Sequence, residues 1–200
     1  MDKTGEASRF ILGDGPRIQF VAFGPLTNLA AALLENHERT AARIGEVVIV
    51  GSNASSAGRW PPLWPAEFNL TQDLRATRIV FDSGLPLTFA PLDLLKKMRV
   101  TRSDLGQLDG TVGEYLRRSS RRWLLRARLL KWSGSFPLWD LVAAMYVMRE
   151  PSILTEIVTA RIHRNGWIEY GAGNREVTLL TAFDRDALWK RFVEVIAGPE

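Results

Sequence analysis

The chain has 200 residues, of which 46% are hydrophobic and 24% charged, with no cysteine and two histidines. That is too apolar for a disordered chain, and it excludes a disulfide framework, a thiolate metal site and a histidine-built zinc site, so any metal here is a hard, oxygen-liganded one. The net charge of +4 is concentrated in residues 117–131, RRSSRRWLLRARLLK, a stretch without a single acid. Residues 1–20 lack a basic patch followed by an apolar core, and no run reaches the roughly 18 apolar residues of a membrane span. The sequence reads as a soluble, untargeted, cytoplasmic chain forming one domain over 1–200.

In chain order, short apolar runs alternate with amphipathic stretches, as in βα units whose strands are covered on both faces. Residues 18–23 (IQFVAF) predict a strand ending at Gly24-Pro25, and 26–36 predict a helix with Thr27 and Asn28 as capping residues. A second strand follows at 47–50 (VVIV), then a loop of turn residues over 51–65, a helix over 73–83 closed by Gly84, and a third strand at 87–90. Residues 103–131 predict helix interrupted at Gly106 and over 110–113, and 137–148 predict a helix with Pro137 in its first turn. Strands return at 157–163, 167–170 and 177–180, and 184–196 closes the chain as a helix.

In open α/β sheets ligands gather at the carboxyl ends of strands, which directs attention to three segments. Gly24-Pro25-Leu26-Thr27-Asn28 is readable as a tight turn with a helix cap. Glu67-Phe68-Asn69 is readable as a solvated acid, a core aromatic and a turn residue. Trp139-Asp140 is readable as a packed aromatic beside an acid favoured by the helix dipole.

Taken together and in this order, these segments resemble the inosine-uridine preferring nucleoside hydrolase family. The matching residues are VAFGPLTNLAAAL at 21–33, RIGEVVIVG at 43–51, PAEFNLTQDLRATRIVFDSGLPLTFAPLD at 65–93 and PLWDLVAAMYVMREPSI at 137–153. The resemblance implies an α/β fold with a mostly parallel, Rossmann-like sheet, and hydrolysis of the N-glycosidic bond of ribonucleosides. It implies a calcium ion that holds the ribose hydroxyls and the attacking water. The Thr27 backbone carbonyl and the Asp140 carboxylate resemble metal ligands, Glu67 and Asn69 resemble the groups that hydrogen-bond the sugar, and Phe68 resembles an aromatic of the pocket wall. Many members carry His where this chain has Trp139. An indole there resembles the purine-preferring branch, in which stacking on the base replaces a side-chain acid; the alternative is that Trp139 only packs.

The chain departs from the family at its start. The Asp-rich signature of the first strand has no counterpart, since Asp2 and Asp14 are isolated and Asp14 lies in a Gly-Asp-Gly turn. The expectation is a partial domain lacking the first βα units, most calcium ligands and the general-base aspartate. Two functions stay open: a purine-leaning nucleoside hydrolase, or a truncated, catalytically silent homologue that binds a nucleoside or serves as an interaction subunit. The expected partners are a nucleoside, a complementing N-terminal segment and further copies of the chain. Residues 117–131 read as a solvated helix face rather than a nucleic-acid or membrane contact, and Arg59-Trp60-Pro61-Pro62-Leu63-Trp64 replaces a segment that elsewhere gives an Asn to the sugar site. Asp93 matches a recurring position after the third strand.

Overall fold

Val47, Val48, Ile49 and Val50 are each at most 2% exposed, as a strand covered on both faces requires. Full burial of such a side chain contributes about 1.5–3 kcal/mol, so this run anchors the sheet. The computed structural model describes residues 5–54, 67–129 and 134–197. They form eight strands and ten helices, numbered here in chain order, and the chain divides into two compact units.

The first unit, Met1–Leu94 with Thr155–Thr181, carries most of a six-stranded sheet. Its strands are β1 (Ile18–Ala22), β2 (Ile44–Val50), β3 (Leu87–Ala90), β6 (Ile153–Ile162), β7 (Ile168–Tyr170) and β8 (Arg175–Phe183), in spatial order β1-β2-β3-β8-β6-β7. The ladders β1/β2, β2/β3 and β3/β8 are parallel, and β6/β7 is antiparallel. The mostly parallel α/β sheet expected from the sequence is therefore present, with β1 at its edge. Around it lie α1 (Glu6–Leu12), α2 (Thr27–Glu35), α3 (His37–Arg43), α4 (Phe68–Thr71) and α5 (Leu74–Phe81), whose apolar faces supply Ile11, Leu29, Leu33, Leu70 and Val80 to the core. Two helices owe their starts to short polar side chains: Asn36 accepts from Arg39 N–H at 2.9 Å, and Asp73 accepts from Ala76 N–H at 2.9 Å. The chain passes towards the second unit through α6 (Leu92–Leu95).

The second unit, Leu95–Leu154 with Ala182–Glu200, is mainly helical. It holds β4 (Arg99–Thr101), β5 (Ser135–Pro137), α7 (Arg102–Gly106), α8 (Gly110–Leu129), α9 (Trp139–Val147) and α10 (Arg185–Ala197). A capping box formed by Thr101 and Asp104 opens α7, and Arg185 pairs with the same Asp104 carboxylate. Met98, Val100, Leu108, Val142, Ala143 and Leu188 are fully buried and make this unit's core.

Two local expectations are corrected here. The helix expected to break over 110–113 runs through Gly113, because that glycine lets α8 press on the chain before it: a Cβ there would lie 2.7 Å from the Leu108 carbonyl carbon. Pro137 does not open a helix. It ends β5, where its Cα partners Arg99 in an antiparallel pair, and α9 begins at Trp139.

Candidate functional site

The carboxyl ends of β1, β2 and β3 lie side by side, with Ala22 opposite Ile49 and Val50 opposite Ala90. Beyond them the chain makes three turns: Phe23-Gly24-Pro25, Gly51-Ser52 and Pro91-Leu92-Asp93. Backbone bonds stitch two of these together, Gly51 N–H to Ala90 O at 3.1 Å and Leu92 N–H to Ser52 O at 3.0 Å. Asp93 ties in the same place, accepting from Ala54 N–H at 2.9 Å, so its visible role is structural.

Into this floor projects the start of α4. Glu67 is its N-cap and is only 7% exposed; its carboxylate accepts from Asn69 N–H at 3.0 Å, from Leu70 N–H at 3.2 Å and from Ser52 N–H. Burial pushes this carboxyl above its ordinary value of 4.5, against the pull of those three N–H groups. A carboxylate offers about four acceptor positions, so three N–H donors leave about one for a ligand. Asn69 is oriented by its own amide: Nδ2 donates to Val50 O at 3.0 Å and points at Phe23 O at 3.5 Å. Its Oδ1 has no partner among the described residues. The pair thus presents oxygen acceptors, suited to donors such as the hydroxyls of a sugar. Phe68, between them, and Phe23 are both exposed and offer apolar surface beside the acceptors.

Backbone geometry makes this possible at two adjacent positions. Gly51 must lack a Cβ, which would sit 2.7 Å from Glu67 Oε2. Ser52 is in the left-handed region at φ 71°, uncommon for a residue with a side chain. Its buried hydroxyl is 2.6 Å from the Tyr170 hydroxyl, whose ring meets Phe89 edge-on. Burial drives the Tyr170 pKa far upward, so this phenol stays neutral and serves as a hydrogen-bonding group.

Thr27 opens α2, and its Oγ1 donates to Asp73 Oδ2 at 2.8 Å. Asp73 therefore caps α5 and tethers the Gly-Pro-Leu-Thr-Asn turn; its carboxyl is held below the ordinary 3.8, chiefly by Ala76 N–H and then by the Thr27 hydroxyl. Helical geometry directs the Thr27 carbonyl along the axis of α2.

In the second unit, Trp139 and Asp140 are the first two residues of α9. Trp139 is 39% exposed, so its indole is not a core side chain. Asp140 is half-buried, its carboxyl is raised above 3.8 by burial alone, and it has no hydrogen-bond or ion-pair partner among the described residues. Such a carboxylate suits a cation, yet calcium takes six to eight oxygens. Among the described residues no three of His, Asp and Glu gather, so these donors do not by themselves fit a calcium ion.

Sequence reasoning missed Gly51, Ser52, Asp73 and Tyr170. The first two and Asp73 carry local signals, a Gly-Ser turn after a strand and an Asp three residues before a helical alanine. Tyr170 carries none, being 118 residues from its partner. The segment 59–64, expected to alter the sugar site, lies outside the described residues.

A mostly parallel sheet flanked by helices defines an α/β protein, and the comparisons with known proteins specify its family. The family model for inosine-uridine preferring nucleoside hydrolases matches residues 3–190. A pyrimidine-specific ribonucleoside hydrolase RihA from Klebsiella pneumoniae is 30% identical over 195 residues, covering 90% of this chain and 60% of its own length. The solved plant nucleoside hydrolase PpNRh1 superposes with a TM-score of 0.81 at 22% identity, over 96% of this chain and 67% of that one. A purine-preferring ribonucleoside hydrolase from Gardnerella vaginalis gives 0.80 at 22% identity, over 97% and 66%. The chain belongs to the inosine-uridine preferring nucleoside hydrolase family. It spans about 60% of the length of the curated relative aligned along most of it.

Proposed function

We propose that this chain supplies the sugar- and base-binding part of an enzyme that hydrolyses the N-glycosidic bond of ribonucleosides, with a lean towards purines. The observation that carries the reading is the Glu67–Asn69 pair, two oriented oxygen acceptors at the carboxyl ends of parallel strands. In such a hydrolysis water adds to C1′, the C1′–N bond breaks, and the proton released by water ends on the departing base. The sugar passes through an oxocarbenium-like state, and hydroxyl contacts that strengthen there lower the barrier. Glu67 and Asn69 accept from the hydroxyls and Phe68 bounds the sugar; for Trp139, in the second unit, a stacking role towards the base is what the family resemblance implies. The purine lean rests on Trp139, since a larger ring system gains more from stacking.

A second reading is a nucleoside-binding chain without turnover, favoured by the fact that no three acids gather among the described residues. Both predict ligand binding, and only the first predicts ribose release. Calorimetric titration of ribose and inosine into the chain tests the shared part, and release of ribose from inosine, with and without calcium, separates the two. Asn69→Ala is expected to weaken both ligands about tenfold, the value of one well-made hydrogen bond to a ligand. Trp139→Ala is expected to weaken inosine and spare ribose. Equal affinities in wild type and Asn69→Ala refute the sugar site.

A further inference from the structure

The arginine-rich stretch of the sequence acquires a specific shape in the second unit. Helices α7 and α8 line an open cavity of about 770 Å³, with Arg102, Arg117 and Arg121 beside Leu105, Leu124 and Leu125. None of the three arginines has an acidic partner among the described residues. Arg117 and Arg121 are one turn apart on α8, so their guanidinium groups are neighbours, and like charges at that spacing repel. The third cation approaches from a different helix. Three arginines without an acidic partner among the described residues and three leucines thus line one concave site. Its volume lies within the range of small-molecule sites, about 300–1,000 Å³.

The geometry points to a binding site for an amphipathic organic anion: a phosphate or carboxylate bracketed by Arg102, Arg117 and Arg121, carried on an apolar body that lies against Leu105, Leu124 and Leu125. A phosphate suits the three cations because its oxygens accept forked bonds from more than one guanidinium, which a planar donor set favours over a single ammonium. A nucleic acid strand fits less well. It requires a convex or grooved basic track, and the arginines placed for that, Arg118, Arg122 and Arg126, are exposed on α8 and do not line the cavity.

The test uses the whole chain and dodecyl phosphate kept below its micellar concentration, followed by calorimetry, with dodecyl maltoside and inorganic phosphate as separate arms. Dodecyl phosphate is expected to bind at one site. Arg117→Gln and Arg121→Gln should each weaken it about tenfold, one charge-assisted hydrogen bond apiece. Leu125→Ser, at a position 60% exposed and therefore harmless to folding, should weaken it several-fold, and Arg126→Gln should leave it unchanged. Inorganic phosphate should bind far more weakly, and dodecyl maltoside should not saturate. The proposal is overturned if the neutral amphiphile binds as tightly, or if inorganic phosphate matches dodecyl phosphate. It is equally overturned if affinity follows Arg118 and Arg122 instead of Arg117 and Arg121, which is the pattern of a polyanion lying along the outer face of α8.

Discussion

Deleting one oxygen atom tests the support of the sugar site most directly. Tyr170→Phe keeps the ring that meets Phe89 and removes the hydroxyl 2.6 Å from Ser52 Oγ. Ser52 is 3% exposed, so water cannot replace the lost partner, and an unpaired buried hydroxyl costs about 1–3 kcal/mol. For a chain of this size each kcal/mol lowers Tm by about 2–4 °C. Ser52→Gly leaves Tyr170 unpaired at a similar cost, but it also relieves the left-handed backbone, about 1 kcal/mol in the opposite direction, and should look milder. Removing both hydroxyls together is nearly neutral, because no orphaned group remains. The expected coupling between the two substitutions is therefore about 1–5 kcal/mol, since both single-variant penalties vanish together, and it is measurable by urea unfolding of the four variants. Ser52 N–H also reaches Glu67, so Tyr170→Phe should weaken ribose several-fold while the double variant recovers part of the loss. Strictly additive stabilities would refute the idea that the two hydroxyls hold the Ser52 turn.

Asp73 is held ionised by Ala76 N–H and the Thr27 hydroxyl, so the stability it contributes is present above its ordinary pKa of 3.8 and is lost as pH falls through the lower folded value. Asp73→Asn, which still caps α5, should flatten the acid limb of the stability curve below that pH, whereas Asp73→Ala should cost about 0.5–2 kcal/mol near neutrality, both read by thermal melts across pH. Gly113→Ala sets two effects against each other: alanine gains about 1 kcal/mol of helix propensity, but its Cβ would meet Leu108 backbone at 2.7 Å. Crowding against backbone costs about 1–3 kcal/mol, so a net loss is expected, and a raised Tm would show that α8 can shift away from Leu108.

The parallel strands were legible as short, mainly apolar runs bounded by turn residues, and 87–90 was read to the residue. Helix α5 was legible within the expected 73–83 through Gly84 beyond it, while Asp73, read as its first residue, is its N-cap. The reading failed where a residue serves packing and not its local preference. Gly113 looked like a breaker and is a contact surface, and Pro137 looked like a helix start and ends an edge strand. Helices α1 and α3 went unread because seven residues give too few turns for a periodic signal. At the site, Glu67, Asn69 and Thr27 stood out through the family resemblance, and the structure gathers the first two at the strand ends. Their supports did not stand out, since the Ser52–Tyr170 contact joins positions that only the completed sheet brings together.

The order of the sheet also sets a timetable. Strand β8 lies between β3 and β6, yet its pairing with β3 joins Thr178 to Thr88, so a central strand arrives about ninety residues after its neighbour. At a synthesis rate of about 5–20 residues per second, β1, β2 and β3 wait roughly 5–20 s on the ribosome with the inner flank of β3 unpaired. Leu87 and Phe89, which end almost fully covered, spend that interval beside an open ladder, the arrangement that invites pairing with another nascent chain. The hazard of this fold is thus concentrated in time, in the seconds before residues 175–183 emerge, and a chaperone that shields β3 over that window would raise the yield of folded chain without touching its final stability.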